Sequence, residues 1–403
     1  MHRCATAWAA ILALALAPLA AKAQSQAASR AVNDLALRLY GEVSKLGTSD
    51  NVFFSPLSIS TAFSFVHLGA GGATRLQLEE TFGFGAGDAA EALRKGRAVA
   101  LAGERDDSLE FLLANRLFLQ EGLELTDRFN MGAEDAGPKV LDEVDFMGDP
   151  EGARRRVNDF VSDKTKGTIE ELMPQGSVTA DTVLVIANAV FFQAAWKYPF
   201  IESSTVEMPF KGFNGGAAPV QMMRQKETTL RIGEILDSQI LELPYEDGAA
   251  SMLIVLPNDE SQDEFSKLEA NLMEVTLEAL RGSMNFDEVD VYLPRFGIED
   301  TTDLKAILPK LGVTDLFKSS ADLSGIISTE TPPLRVSSAL HKAKILVDEK
   351  GTVAAGATSV AVVATSASLS PPKVFMADHP FVYFLIDEGG TILFMGNVRG
   401  LPA

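Results

Sequence analysis

Cysteine is nearly missing from this chain: Cys4 is the only one among 403 residues. Disulfide staples and cysteine-based nucleophiles or metal sites are therefore excluded for everything that follows it. Histidine is scarce too, with only His2, His67, His341 and His379. No H-E-x-x-H helix, G-x-S-x-G elbow or G-x-x-x-x-G-K-[ST] loop occurs, so the common zinc, serine-hydrolase and nucleotide chemistries lack their residues. A secreted hydrolase using one of the histidines has no motif behind it, and no carboxylate pair stands out for glycoside chemistry. The chain reads as a non-enzyme with no metal and no cofactor. Positive charge is also short, 35 Lys and Arg against 55 Asp and Glu, for a net charge of −20. That balance argues against nucleic acid and heparin-like glycans as partners and favours a soluble monomer. Apolar runs stop short of the ~20 residues that a membrane span needs, so no membrane partner is expected.

What is present begins with the first 23 residues. Arg3 precedes an apolar stretch from Ala7 to Leu19, and Ala21, Lys22 and Ala23 form a small-x-small site before Gln24. This pattern predicts a cleavable secretory signal and hence a secreted or periplasmic bacterial protein. Cys4 lies before the apolar stretch and not at the cleavage point, which argues against lipidation. From residue 24 to 403 no linker, repeat or low-complexity segment divides the chain, so one domain is expected despite its length.

Periodicity predicts helices early and strands late. Ala31–Lys45 is amphipathic, Ser55 and Pro56 start a second helix as cap and first-turn proline, and Gly152–Lys166 reads as a third. Phe111–Phe118 reads as a strand, and Val183–Trp196 (VLVIANAVFFQAAW) as one buried on both faces. Further strands are expected at 221–232, 239–243, 251–256 and 289–298, a helical pair at 263–280 and a helix at 303–311. A hairpin joins 381–386 to 392–398 around Glu388, Gly389 and Gly390. Without βαβ alternation, the pattern is that of an α+β fold.

The most distinctive stretch is GTVAAGATSVAVVATSASLSPP, 351–372, which carries no charge and follows the strand-like HKAKILVDEK, 341–350. Composition alone allows a flexible linker. A transmembrane helix is disfavoured by the many Ser, Thr and Gly. The third reading is a loop able to add to a sheet as a strand. Its alternating sets, Thr352, Ala354, Gly356, Thr358, Val360, Val362 and Ala364 against Val353, Ala355, Ala357, Ser359, Ala361, Val363 and Thr365, are both uncharged. Periodicity therefore leaves open which face would turn inward.

Ordered motifs along nearly the whole chain decide among these readings. NVFFSPLS (51–58), Asn158 with Phe160, Val161, Thr165 and Ile169, and NAVFF (188–192) with Trp196 come first. LPRF (293–296), ADLSG (321–325), EKGTVAAGAT (349–358), FMADHPFVYFL (375–385) and FMG (394–396) follow. Together they resemble the serpin family of serine protease inhibitors from about residue 31 to 400. Two departures are visible: Val353 stands where an acidic residue is common, and Phe160 where a tryptophan is usual.

The resemblance implies a serpin fold, with helices on a large mixed central sheet, smaller sheets, and an exposed reactive-centre loop at about 350–373. It implies irreversible inhibition: a serine protease cuts the loop, and the loop then inserts as a central strand before the acyl-enzyme can hydrolyse. By family position the reactive bond is Thr365–Ser366, with Val363, Ala364 and Ser366 as the neighbouring alternatives for the specificity residue. A small uncharged residue there fits elastase-like or subtilisin-like proteases as partners. Glu349, Gly351, Thr352, Ala354, Ala355, Gly356 and Ala357 take the place of the hinge. Ser55, Ser58, Asn188 and His341 match the polar shutter, and Trp196 and Arg295 the breach above it, with Arg295 and Glu349 a charge pair. The alternative is a non-inhibitory serpin acting as a binding or carrier module. Such members tend to carry a charged or bulky residue early in the hinge, where this chain has Thr352, Ala354 and Gly356.

Overall fold

The computed structural model describes residues 25–47, 50–85, 109–136, 139–213, 216–328, 334–352 and 371–402. The predicted signal segment, Ala354 to Ala357 of the hinge, and Thr365 and Ser366 lie outside these. Helix α1 spans 25–43, and α2 spans Pro56–Gly69. Ser55 caps α2 by accepting from the Ser58 amide, and Pro56 opens its first turn, as the sequence predicts. Every residue of α2 except Leu68 is buried. The helix therefore has no polar face, and Ser58, Ser60, Thr61 and Ser64 are interior groups. Helices α3 (Gly72–Phe82), α4 (Asp127–Ala136), α5 (Pro150–Lys164), α6 (Gln262–Leu272) and α7 (Leu277–Gly282) complete the longer helical elements among the described residues.

The strands in chain order are β1 (Phe53–Phe54), β2 (Leu109–Gln120), β3 (Leu141–Val144), β4 (Leu184–Ala195), β5 (Val206–Gly212), β6 (Gly216–Ile235), β7 (Ser238–Pro244) and β8 (Ala250–Pro257). Then come β9 (Met284–Pro294), β10 (Phe296–Asp303), β11 (Ser338–Val347), β12 (Gly351–Thr352), β13 (Lys373–Met376), β14 (Phe381–Asp387) and β15 (Ile392–Val398). They form two sheets. The central one is mixed, in the order β10, β11, β12, β4, β2, β3, and β11 also pairs directly with β4 in parallel. The other has nine strands, the 20-residue β6 pairing with β7 and β9 along its main path and with β5 beside it. The predicted strand 289–298 is in fact two strands that leave for different sheets at Arg295. No helix among the described residues is long and apolar enough to cross a membrane.

The sheets stack with their inner faces together. Val190, Phe192, Ala343, Ile345 and Val347 meet Tyr245, Met252, Ile254, Tyr383 and Phe394 in one apolar cluster. On the outer face of the central sheet, α5 and the segment after it cover Ala114, Phe118, Val185, Ala187 and Ala189. A polar clamp fixes the C-terminal strands. Arg399 Nη2 donates to Glu269 Oε1 and Oε2 at 2.7 and 2.9 Å, and Arg399 Nη1 to the Ser44 carbonyl at 3.1 Å. Tyr40 donates to Glu269 at 2.6 Å, and Asn397 to Tyr40 at 2.8 Å. Removing one partner of such an enclosed pair strands the other charge, at a cost of about 3 kcal/mol. Glu269→Ala should therefore lower the stability measured by urea clearly, whereas Glu264→Ala, half-exposed on α6, should change it by no more than about 0.5 kcal/mol.

Candidate functional site

The candidate site is the seam between β4 and β11. These strands pair in parallel from Ser338 opposite Val185 to Lys344 opposite Phe191. Above that level they part, and β12 fills the opening. Thr352 pairs with Val347 on one side and Ala194 on the other, and Gly351 pairs with Ala195. The chain reaches this position through a tight turn in which Asp348 N donates to the Gly351 carbonyl at 2.8 Å. The Asp348 carboxylate accepts from the Lys350 and Gly351 amides. The predicted strand-like lead-in 341–350 is thus shifted: the strand is Ser338–Val347, and 348–350 belong to the turn. Glycine is required at 351 for space, since a Cβ there would lie 2.0 Å from the Ala194 carbonyl oxygen.

Side chains clasp this turn from several elements. Trp196 donates from its amide to the Lys350 carbonyl at 2.8 Å and from its indole to the Asp348 carbonyl at 3.0 Å. Its ring stacks on Tyr245 with centroids 4.5 Å apart, and the Tyr245 hydroxyl bonds Thr352 Oγ1 at 2.9 Å. Glu349 is buried and receives Arg295 Nη2 at 2.6 and 2.7 Å and Thr205 Oγ1 at 2.6 Å. Burial acts to raise the Glu349 pKa, but the bonds from Thr205 and Arg295 outweigh it and leave the carboxyl below its ordinary value.

Lower in the seam lies a closed polar cluster. His341 and Asn188 are direct register partners on β11 and β4, and Nδ1 of the histidine bonds Oδ1 of the asparagine. Nε2 of His341 accepts from the Ser55 amide at 3.0 Å. The imidazole is therefore neutral, with its proton on Nδ1. Asn188 Nδ2 donates to the Ser58 carbonyl at 3.0 Å and to Ser58 Oγ at 2.8 Å, and Ser55 Oγ to the Leu393 carbonyl at 2.6 Å. Asn115 of β2 completes the set, accepting from Ser58 Oγ at 3.2 Å and from Asn188. All four residues expected here meet, and Trp196 and Arg295 both reach the 348–352 turn. Sequence reading missed Asn115, Thr205 and Tyr245. An amide at the middle of the largely apolar strand FLLANRLFLQ was a usable signal for Asn115. No local pattern ties Tyr245 or Thr205 to a turn more than 100 residues away. His67 and His379 stand elsewhere, bonded to Glu79 and to Asp378 and the Pro257 carbonyl respectively. No group of three or more metal-ligating side chains occurs among the described residues.

The comparisons with known proteins agree with this architecture. The family model described as Serpin (serine protease inhibitor) matches residues 30–400, and the chain belongs to that family. It is 38% identical over 374 residues to leukocyte elastase inhibitor A of Rattus norvegicus, covering 90% of this chain and 96% of that protein. It is 36% identical over 377 residues to serpin B9 of Homo sapiens, covering 92% and 98%. Among solved structures it resembles maspin with a TM-score of 0.85 at 28% identity, covering 94% of this chain and all of that one.

These relatives correct one expectation. Leukocyte elastase inhibitor and the serpin B proteins are intracellular serpins without signal peptides, so the assignment to a secreted or periplasmic compartment is withdrawn. The signal reading of residues 1–23 rested on one cation ahead of a short apolar run. Such a pattern is compositional and has no packing constraint behind it.

Burial pushes the His341 pKa down to about 3 from its usual 6.5. The unfolded chain then binds a proton below pH 6.5 that the native state refuses. Native stability is therefore full above pH 6.5 and falls as pH drops from there toward 3. At pH 5 the loss from this residue is about 2 kcal/mol. Urea unfolding at pH 7.5 and 5.0 should show that difference, and His341→Asn should remove most of it; an unchanged slope in the variant would refute the assignment.

Proposed function

We propose that this protein is an irreversible suicide-substrate inhibitor of serine proteases, its loop entering the central sheet between β4 and β11 once cut. The observation that carries this reading is that Gly351 and Thr352 are already paired at the top of that seam, with Thr352 fully buried. Continuing their register sets Ala354 opposite Ile345 and Phe192, and Gly356 opposite Ala343 and Val190. Thr358 arrives at the level of His341 and Asn188, and Val362 at Leu184, the first residue of β4. In this reading the even-numbered set turns inward, as Thr352 does, and the burial of Thr352 supports that choice between the two faces. A strand from 351 to 362 would fill the seam, leaving a bond at Thr365–Ser366 just beyond it.

In this reading Ser55, Ser58, Asn188 and His341 form the shutter, and their bonds must open when Thr358 passes. Trp196, Arg295 and Glu349 hold the entrance. A dozen new strand residues at ~0.5–1.5 kcal/mol per hydrogen bond give on the order of 10 kcal/mol. Buried valines such as Val360 and Val362 add ~1.5–3 kcal/mol each. The uncut form is then a kinetic trap. The uncharged bond and the likeness to leukocyte elastase inhibitor support an elastase-like target, with subtilisin-like pockets the other fit to a small residue. Residues 24–403 act as one unit, as a monomer.

The test is a denaturing gel after mixing with an elastase-like protease, with mass spectrometry of the released peptide. A covalent band at summed mass and a peptide starting at Ser366 are expected. Clean cleavage without that band, across elastase and subtilisin types, would favour the non-inhibitory carrier. Thr352→Arg would put a charge under Tyr245, costing several kcal/mol. It should cut the yield of complex at least about tenfold while leaving the bond cleavable, and trapping at the parent's efficiency would refute insertion.

A further inference from the structure

Two histidines of this chain face different kinds of partner. His341 meets a donor at one ring nitrogen and an acceptor at the other, which suits a neutral ring. His379 meets acceptors at both. Its Nδ1 lies 2.8 Å from the Asp378 carboxylate and its Nε2 2.8 Å from the Pro257 carbonyl. Only the imidazolium, with a proton on each nitrogen, can donate to both. The side chain is 11% exposed, so water has little access to replace either partner.

The place of this contact in the fold gives it leverage. His379 belongs to the link 377–380 between β13 and β14. β13 is four residues long and pairs in parallel with β9 alone. Pro371 and Pro372 precede it and have no amide to extend the ladder. The link fastens β13 at three points. Ala377 N donates to the Tyr292 carbonyl of β9 at 2.9 Å, and Lys211 N of β5 to the Asp378 carbonyl at 2.8 Å. The third point is the bond from His379 to Pro257 at the end of β8. It alone depends on an imidazole, the side chain that ordinarily changes charge between about pH 5 and 8. The charged groups around it are Asp378 on the link, Lys211 on β5, Asp259 and Glu260 ahead of α6, and Lys267 on α6. Glu260 is taken up by Lys211. Hydrogen bonds from Ser261 hold the Asp259 carboxyl below its ordinary value, with His379 and Lys267 adding to them.

We infer that His379 is a proton-operated clasp, which ties the β13–β14 link to the end of β8 when charged and releases it when neutral. As one proton leaves, the Asp378 carboxylate keeps the remaining N–H, because a charged acceptor holds it more strongly than a carbonyl does. The proton therefore departs from Nε2, whose lone pair then faces the Pro257 oxygen at 2.8 Å. Two lone pairs at that distance repel, and the link moves off β8. β13 is left with its short ladder and the Ala377 and Lys211 bonds. Because β13 follows 353–370 in the chain, the clasp sets how firmly the far end of that segment is anchored. The inference needs no strand insertion and stands apart from the inhibitory reading.

The test is hydrogen exchange with mass spectrometry on the intact protein at pH 5.5 and 8.5, with rates corrected for the intrinsic effect of pH. A peptide covering 373–379 is expected to be roughly tenfold less protected at pH 8.5, the loss of about one charged hydrogen bond. His341 acts in the opposite direction, weakening the whole fold as pH falls, so the sign tells the two effects apart. His379→Lys, charged at both pH values, and His379→Gln, uncharged at both, should each abolish the step. A parent whose 373–379 protection agrees within twofold between the two pH values overturns the clasp, whether or not the variants fold. So does a step of the parent's size that persists in either variant.

Discussion

The seven-pair parallel ladder between β4 and β11 is the constraint on which the rest of this structure depends. It sits at the centre of the mixed sheet, with β10 on one side and β2 and β3 on the other. Parallel pairing is slightly weaker per residue than antiparallel, and here it is held mainly by what lies on its two faces. Inside, a histidine and an asparagine bond directly across it and are fixed from below by the start of α2. Outside, two lysines cross it to reach backbone carbonyls. The ladder is thus a joint with polar fastenings, set between two otherwise apolar layers.

Polar fastenings suit a joint that opens, as the proposed insertion requires. An apolar seam would gain from closure wherever its surfaces met and would have no preferred register. A cluster of neutral, mutually satisfied groups has one closed geometry, because each donor and acceptor is expensive to leave unpaired in the interior. Ser55, Ser58, Asn115, Asn188 and His341 satisfy one another with no charged side chain among them. The cluster therefore holds its register without a desolvated ion that would resist separation. Glu349 is different: it is buried, ionised and tied to Arg295, and it lies at the entrance where the turn itself stays in place.

Much of this was legible in the sequence because the residues concerned sit in short linear patterns. Ser55 and Pro56 announce a capped helix, and the run from Val183 to Trp196 announces a strand buried on both sides. The pairing of His341 with Asn188 could be expected from family likeness, but its register could not. What remained hidden depends on contacts between distant segments. Tyr245 meets Trp196 only because the ends of β4 and β7 approach the same turn, and Thr205 reaches Glu349 from a connection with no periodicity. The division of 284–303 into strands of two sheets turns on the single position of Arg295, whose neighbours on both sides alternate like one strand. The assignment to a secreted or periplasmic compartment fell for the opposite reason, since it rested on a short linear pattern alone and the relatives contradict it.

The C-terminal clamp has a bearing on what the molecule would become if the proposed cut were made. Strands β13, β14 and β15 all lie beyond residue 370, and β14 and β15 run through the interior of the nine-stranded sheet between β8 and β1. A backbone break within 353–370 would turn one polypeptide into two. The smaller, a few dozen residues long, would own two interior strands and the arginine that grips Glu269. With no disulfide to join them, the pieces would be held by ladder hydrogen bonds, packed aromatic rings and that ion pair alone. Such a fragment cannot leave by dissociating from a surface, because it is part of the core. The nicked protein is in effect a permanent heterodimer, whose subunits separate only when the whole fold is lost.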